Sequence, residues 1–171
     1  MALTVRRRVL LAAASAALAS RPARTQTASP PVVNAIGFLA SSATLRQRAS
    51  ALAASRDTRP EVKAFAAEEA NASVSDLERL RSFARARGFD LPQEMELDHQ
   101  SIWDNLEPLD YLALSRRYAE VELQALERDA QMYEQAGQSA EADVRALAAE
   151  MLPRLRGRLE KAKQIYEAVK A

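Results

Sequence analysis

Few residues in this chain combine type and spacing in a way that could do chemistry. Glu96-Leu97-Asp98-His99 contains a Glu-x-x-His. On a helix, positions i and i+3 share a face, so this pair could begin a metal site. A carboxylate-bridged metal pair needs two such motifs and further inward carboxylates, and the chain has one histidine. The same count removes a supported serine–histidine nucleophile and any multi-histidine zinc site. Cysteine is absent, which excludes disulfides, thiolate ligands and a thiol nucleophile. What remains are polar side chains at positions where a buried helix face expects apolar ones. Glu69 and Ser73 fall on one stripe, Glu122 lies near Tyr118 and Leu126, and Arg158 sits between Leu155 and Leu159. Two arrangements fit them. One is a polar pocket holding a metal or small ligand through Glu69, Glu122 and His99. The other is an internal ion pair of Arg158 with Glu122 or Glu69. A buried charge must be paired, so the ion pair is the expectation. No catalytic or cofactor-binding residue emerges, and no cofactor is expected.

Two further groups admit a functional and a plain reading. Tyr111, Tyr118, Tyr133, Trp103 and Tyr166 could line a ligand slot, but aromatics at helical spacing are more often core. Arg79, Arg81, Arg85 and Arg87 could hold an anion, but arginine also suits the negative end of a helix dipole.

These residues must be positioned by helices. From Glu107 to Ala136, Tyr111, Leu114, Tyr118, Val121, Ala125 and Met132 recur at three- and four-residue steps. A second row, from Leu112 to Tyr133, widens that face beyond a two-stranded seam. Before it, Asn34 caps a helix with a small-residue face from Ile36 to Ala53. A second helix runs from Pro60 to Arg87, stopped by Gly88. Gln93 to Leu106 is a shorter helix after Leu91-Pro92. Ser139 caps a last helix, buried through Val144, Leu147, Met151, Leu155, Leu159, Ala162, Ile165 and Val169, with Pro153 in its interior. No stretch alternates with period two. Short turns favour antiparallel neighbours, so the expectation is an all-α, up-and-down four-helix bundle with a short extra helix.

Residues 1–19 read as an export signal: Arg6-Arg7-Arg8, an apolar run from Val9 to Leu18, and Ala17-Leu18-Ala19 as a cleavage site. The run is short for a membrane span of about 20 apolar residues. Arg7-Arg8 also fits a twin-arginine signal loosely. Residues 20–32, with Pro22, Pro30 and Pro31, read as a disordered linker, and 33–171 as the bundle domain. Removing the three leading arginines leaves 21 basic against 23 acidic residues, so the charge of +1 becomes about −2. That balance offers no footprint for nucleic acid or an anionic membrane.

Several short motifs then occur in order: Pro60-Glu61-Val62-Lys63 with Phe65-Ala66, Leu91-Pro92, His99-Gln100 before Leu106, Asp110-Tyr111-Leu112, and Leu152-Pro153. Behind an export signal, this series resembles the bacterial domain of unknown function 4142 over roughly Val33 to Ala171. The resemblance implies a ferritin-like bundle, exported or membrane-associated, with no assigned reaction. The histidines that members of that family often carry fall near Ser73, Glu122 and Arg158, and none of these is histidine here. The resulting expectation is a periplasmic, non-enzymatic protein with a structural or interaction role and a possible protein partner. A metal- or small-ligand-binding bundle and a membrane-tethered accessory protein are the alternatives. The sequence leaves the oligomeric state open.

Overall fold

The computed structural model describes residues 28–170; the expected signal and residues 20–27 of the expected linker lie outside them. The described residues form five helices and no strand: α1 (Pro30–Arg56), α2 (Pro60–Ala86), α3 (Leu97–Leu106), α4 (Tyr111–Ala136) and α5 (Ala142–Lys170). No helix among them is long and apolar enough to cross a membrane.

Each boundary has a local cause. Pro30 and Pro31 open α1 and Pro60 opens α2, where a missing N–H costs nothing. Helix α1 therefore starts four residues before Asn34, which lies inside it, and the expected linker is shorter at its end. Asp57 breaks α1 and bends the chain, its Oδ1 accepting the Arg59 backbone N–H at 2.8 Å. Gly88, at φ 73°, ends α2: its N–H bonds to the Arg85 carbonyl and that of Phe89 to the Ala84 carbonyl. This paired closure needs the left-handed conformation that glycine adopts without a side-chain clash. Helix α3 begins at Leu97 rather than Gln93, and α4 at Tyr111 rather than Glu107. The stretch between α4 and α5 is held by Arg145, which donates to the carbonyls of Ser139 and Ala140. Ser139 Oγ accepts the Glu141 N–H at 3.1 Å, one turn ahead of α5.

Cross-helix pairs give the directions. Between α1 and α4, Ser42 meets Asp129 and Ser50 meets Tyr118, so these helices are antiparallel. Between α2 and α5, Glu69 meets Arg158 and Arg79 meets Glu150, again antiparallel. Along α1, Ser41 meets Glu96 and His99, and Arg56 meets Glu107, so the segment carrying α3 climbs parallel to α1. The chain alternates direction only when α3 is counted. The four long helices run up, down, down, up, with α2 parallel to α4 and the crossover through α3 returning the chain between them.

The core follows the stripes. Ile36, Leu39, Leu52, Val62, Phe65, Leu80, Phe83, Leu106, Leu114, Tyr118, Leu126, Tyr133, Leu147, Met151, Leu155 and Val169 are buried in one cluster. Leu77, Leu159 and Ile165 pack at its edge, half-buried. Tyr111 and Leu112, expected on the buried face, are exposed.

Candidate functional site

Every long helix sends a charged side chain into the middle of this apolar cluster. Arg46 comes from α1, Glu69 and Asp76 from α2, Glu122 and Asp129 from α4, and Arg158 from α5. Arg46 is 2% exposed and Glu122 0%. Seven residues separate Glu69 from Asp76 and Glu122 from Asp129, two turns that return a side chain to the same face. The two guanidiniums knit these carboxylates together.

Arg46 Nη2 lies 3.2 Å from Asp76 Oδ2 and 3.2 Å from Asp129 Oδ2, while Nη1 donates to Ser73 Oγ at 3.2 Å. Nη1 is 4.0 Å from Glu69 Oε2 and 3.9 Å from Glu122 Oε1, ion pairs too long for hydrogen bonds. Arg158 grips Glu69 through Nε at 3.0 and 2.9 Å and Nη2 at 2.7 Å, and donates from Nη1 to Asp76 Oδ2 at 2.6 Å. A planar guanidinium matches a carboxylate in this forked way, and charge-assisted bonds of this kind are the stronger ones. Ser42 Oγ donates to Asp129 Oδ2 at 3.0 Å. Nearby, Ser50 Oγ and Tyr118 Oη are 3.0 Å apart, and Ser115 Oγ donates to Asp57 Oδ1 at 2.9 Å.

Both oxygens of Glu122, Oδ1 of Asp129 and Nε of Arg46 are buried without a hydrogen-bond partner. Burial pushes the Glu122 carboxyl well above the usual carboxylate range; Arg46 opposes this, and the Glu69 charge adds to it. Burial likewise lifts Asp129, held to about 6 by Arg46 and the Ser42 hydroxyl. For Arg46, burial disfavours the charge, yet Asp129, Glu122, Asp76 and Glu69 together hold its proton more firmly than usual.

The expected site residues thus separate. Arg158 pairs with Glu69, as one form of the expected ion pair has it, and also with Asp76. Glu122 faces Arg46 instead. His99 belongs to a different contact: its Nδ1 is 2.6 Å from Ser41 Oγ, and its ring packs on Phe38 at 4.8 Å. Ser41 Oγ also accepts the Glu96 backbone N–H at 2.8 Å, so one hydroxyl ties both the start of α3 and its histidine to α1. Burial and nearby Arg128 both lower the His99 pKa. Glu96 lends its backbone rather than its carboxylate to this contact, so the Glu-x-x-His acts here as a fastening of α3 to α1. Among the described residues no group of three acidic or histidine side chains is placed to hold a metal ion.

The alternative reading of the aromatics, a ligand slot, does not assemble. Tyr118 and Tyr133 are core, Trp103 lies under the Arg48 guanidinium at 5.9 Å, and Tyr111 is 70% exposed. The arginines at the end of α2 are engaged along its length: Arg79 with Glu150 at 2.8 Å, and Arg87 with Glu141 and Asp143. Arg85 donates to Ser82. The main grooves lie outside the charged interior. One of about 610 Å³ is lined by Asn34, Phe38, Glu96, Arg128 and Gln131. Another of about 480 Å³ is lined by Arg81, Arg85, Phe89 and Asp90. An apolar hollow of about 170 Å³ lies among Val32, Ile36, Met132, Ala136 and Val144.

Arg46, Asp76 and Asp129 are missing from the sequence-based candidates, although the same signal marks them. Position 46 is three residues from Ala43 and from Ala49. Position 76 follows Ser73 by three, and position 129 follows Leu126 by three. Each continues a stripe already recognised, but a charged side chain on a helix is usually solvated, so residue type alone does not mark these three as buried.

Comparison with curated proteins and with solved structures gives no match. The family model described as Domain of unknown function (DUF4142) matches residues 17–165, which covers most of the chain and all but the end of the bundle, and the chain belongs to that family.

Proposed function

We propose that this protein is an exported helical bundle with a structural or interaction role and no catalytic reaction of its own. Its frame is ferritin-like, and two arginines occupy the place where such frames gather metal ligands. The observation that carries this reading is the interior itself. A carboxylate bundle built for two metal ions brings inward carboxylates from all four helices and two histidines. Here α1 and α5 bring Arg46 and Arg158, and the carboxylates of α2 and α4 are directed at those guanidiniums. The resident positive charges already balance much of the acid, and the grooves described above do not reach them. The single crossover between the second and third long helices supports the ferritin-like frame, since such folds have one long connection. The basic, apolar and Ala-x-Ala pattern of residues 1–19 supports export.

One observation favours a second reading, a metal- or small-ligand-binding bundle: Glu122 is buried with neither oxygen bonded. Expression of the full chain, followed by cell fractionation, N-terminal sequencing and elemental analysis, separates the readings. A periplasmic product starting near Ser20, free of stoichiometric metal and unchanged in calorimetry by iron, manganese or zinc, is the expected result. A stoichiometric metal that raises the unfolding temperature would overturn the leading reading. Retention of residues 1–19 in the membrane fraction would instead make it a tethered accessory protein.

A further inference from the structure

We propose that the interior of the bundle is a proton-binding site: on folding, the Glu122 carboxylate takes up one proton from solvent and is held in the folded bundle as a neutral carboxylic acid. This goes beyond the role proposed above and stands whether or not the protein is exported.

The argument is one of donors. Glu122 is 0% exposed, so water does not solvate it. Its nearest cation, Arg46 Nη1, is 3.9 Å from Oε1, and that nitrogen donates to Ser73. The other terminal nitrogen of Arg46 serves Asp76 and Asp129, and Arg158 serves Glu69 and Asp76. No donor reaches either Glu122 oxygen within hydrogen-bond distance. An ionised carboxylate in that position would have lost its hydration and gained no hydrogen bond, the costliest state for a buried polar group. Glu69 comes close from α2: its Oε2 lies 4.0 Å and Glu122 Oε1 3.9 Å from the same Arg46 nitrogen, so two carboxylates flank one cation. Two ionised carboxylates so placed repel each other, and a proton on one relieves that repulsion. Asp129 differs because Ser42 and Arg46 both reach its Oδ2.

The charge balance agrees. Four ionised carboxylates against two guanidiniums would leave the dry interior at −2; one bound proton halves that. The groups facing Glu122 are Arg46 from α1, Glu69 and Asp76 from α2, Tyr118 and Asp129 from its own helix, and Arg158 from α5. The histidine of α3 contacts Ser41 instead, and burial and Arg128 lower its pKa. None can supply a proton to an ionised Glu122 at neutral pH: both tyrosines near the network, Tyr118 and Tyr133, are pushed above their ordinary range by burial.

Denaturant unfolding of the full chain between about pH 7.5 and 9 tests this. In that window Asp129 is ionised and His99 neutral in both the folded and the unfolded protein, given their directions. Folding then requires uptake of the Glu122 proton, so the unfolding constant should rise with pH across the window, by up to about tenfold per pH unit. Glu122→Gln, which carries the donor permanently, should flatten that dependence. A flat wild-type profile, or the same slope in Glu122→Gln, would overturn the proposal. Should that variant fail to fold, infrared spectroscopy of the wild type at pH 8 decides. The expected result is a protonated carboxylic acid band that disappears on unfolding, and its absence sinks the idea. Stabilisation by added sodium, potassium or divalent cations without that band would show that a cation, not a proton, fills the site.

Discussion

Asp129 and Arg46 show how little freedom a charge has inside this bundle. Asp129 titrates at about 6 because burial favours its neutral form while Arg46 and Ser42 favour the ionised one. Removing the hydroxyl with Ser42→Ala should raise that midpoint further, read by carbon-13 NMR of the carboxyl. A midpoint that stays put would show that Ser42 does not support the charge. The stability effect has a definite sign. The folded pKa lies above the unfolded value of 3.8, so the contribution is full below 3.8 and is lost as pH rises through about 6. The shift corresponds to roughly 3 kcal/mol between those limits. Arg46 carries the larger burden. Arg46→Met leaves Asp129 without its cation and Asp76 with only Arg158, and should cost about 3–5 kcal/mol in denaturant unfolding at pH 7. A loss under 1 kcal/mol would mean that water enters and solvates the acids. At this scale the sequence was half legible. Glu69, Ser73, Glu122 and Arg158 stand out because each interrupts an otherwise apolar row, whereas Arg46 has alanines and serines one turn to either side on a weakly amphipathic helix that does not announce which face is inward.

Among the elements, α3 and the start of α4 depend on single residues. Tyr111 opens α4 with φ 51°, a left-handed conformation that costs a non-glycine residue about 1 kcal/mol or more, and its side chain is 70% exposed. Tyr111→Gly removes that strain while losing little packing, and should raise stability by about 0.5–1 kcal/mol. A clear loss in thermal unfolding would show that the exposed ring makes a contact that matters. The strain explains a misjudged boundary. The periodicity of Tyr111 and Leu112 continues the α4 pattern, but the chain leaving α3 must turn sharply after Pro108-Leu109-Asp110, and that turn swings both side chains outward. Helix α3 is fastened to α1 by a neutral His99. The folded pKa of this histidine lies below its ordinary 6.5, so the fastening contributes stability above 6.5 and loses it as pH falls through the lowered value. Ser41→Ala removes the hydroxyl that contacts both His99 Nδ1 and the Glu96 N–H. Amide exchange in α3 should accelerate in that variant at neutral pH, while α4 and α5 keep their protection.

At the level of the whole molecule, the network is a seam between two helical hairpins. Helices α1 and α2 pack closely as one, α4 and α5 as the other, and the guanidiniums reach across. Arg46 of the first hairpin meets Glu122 and Asp129 of the second, and Arg158 of the second meets Glu69 and Asp76 of the first. The all-helical class and most helix positions are legible in residue spacing, because periodicity reports burial directly. The reciprocal pairing is not, because it depends on α2 and α4 running parallel, and that follows from a crossover whose path local spacing does not encode. Such a seam fixes register: a slip of one turn would separate every pair at once, a penalty far above what apolar side chains would impose. It need not add net stability, since removing charges from water costs about as much as their attraction returns. The combination Arg46→Met with Glu122→Met and Asp129→Leu separates these roles. It replaces the α1 and α4 charges with apolar groups of similar size and leaves Arg158 with Glu69 and Asp76. It should regain at least about 2 kcal/mol over Arg46→Met alone, because the destabilising element in the single variant is the orphaned acids rather than the missing pair. A triple variant as unstable as the single one would mean that the ion pairs themselves hold the hairpins together. If it unfolds at the wild-type temperature but with a broadened transition and poorly dispersed NMR signals, the charges supply uniqueness rather than strength.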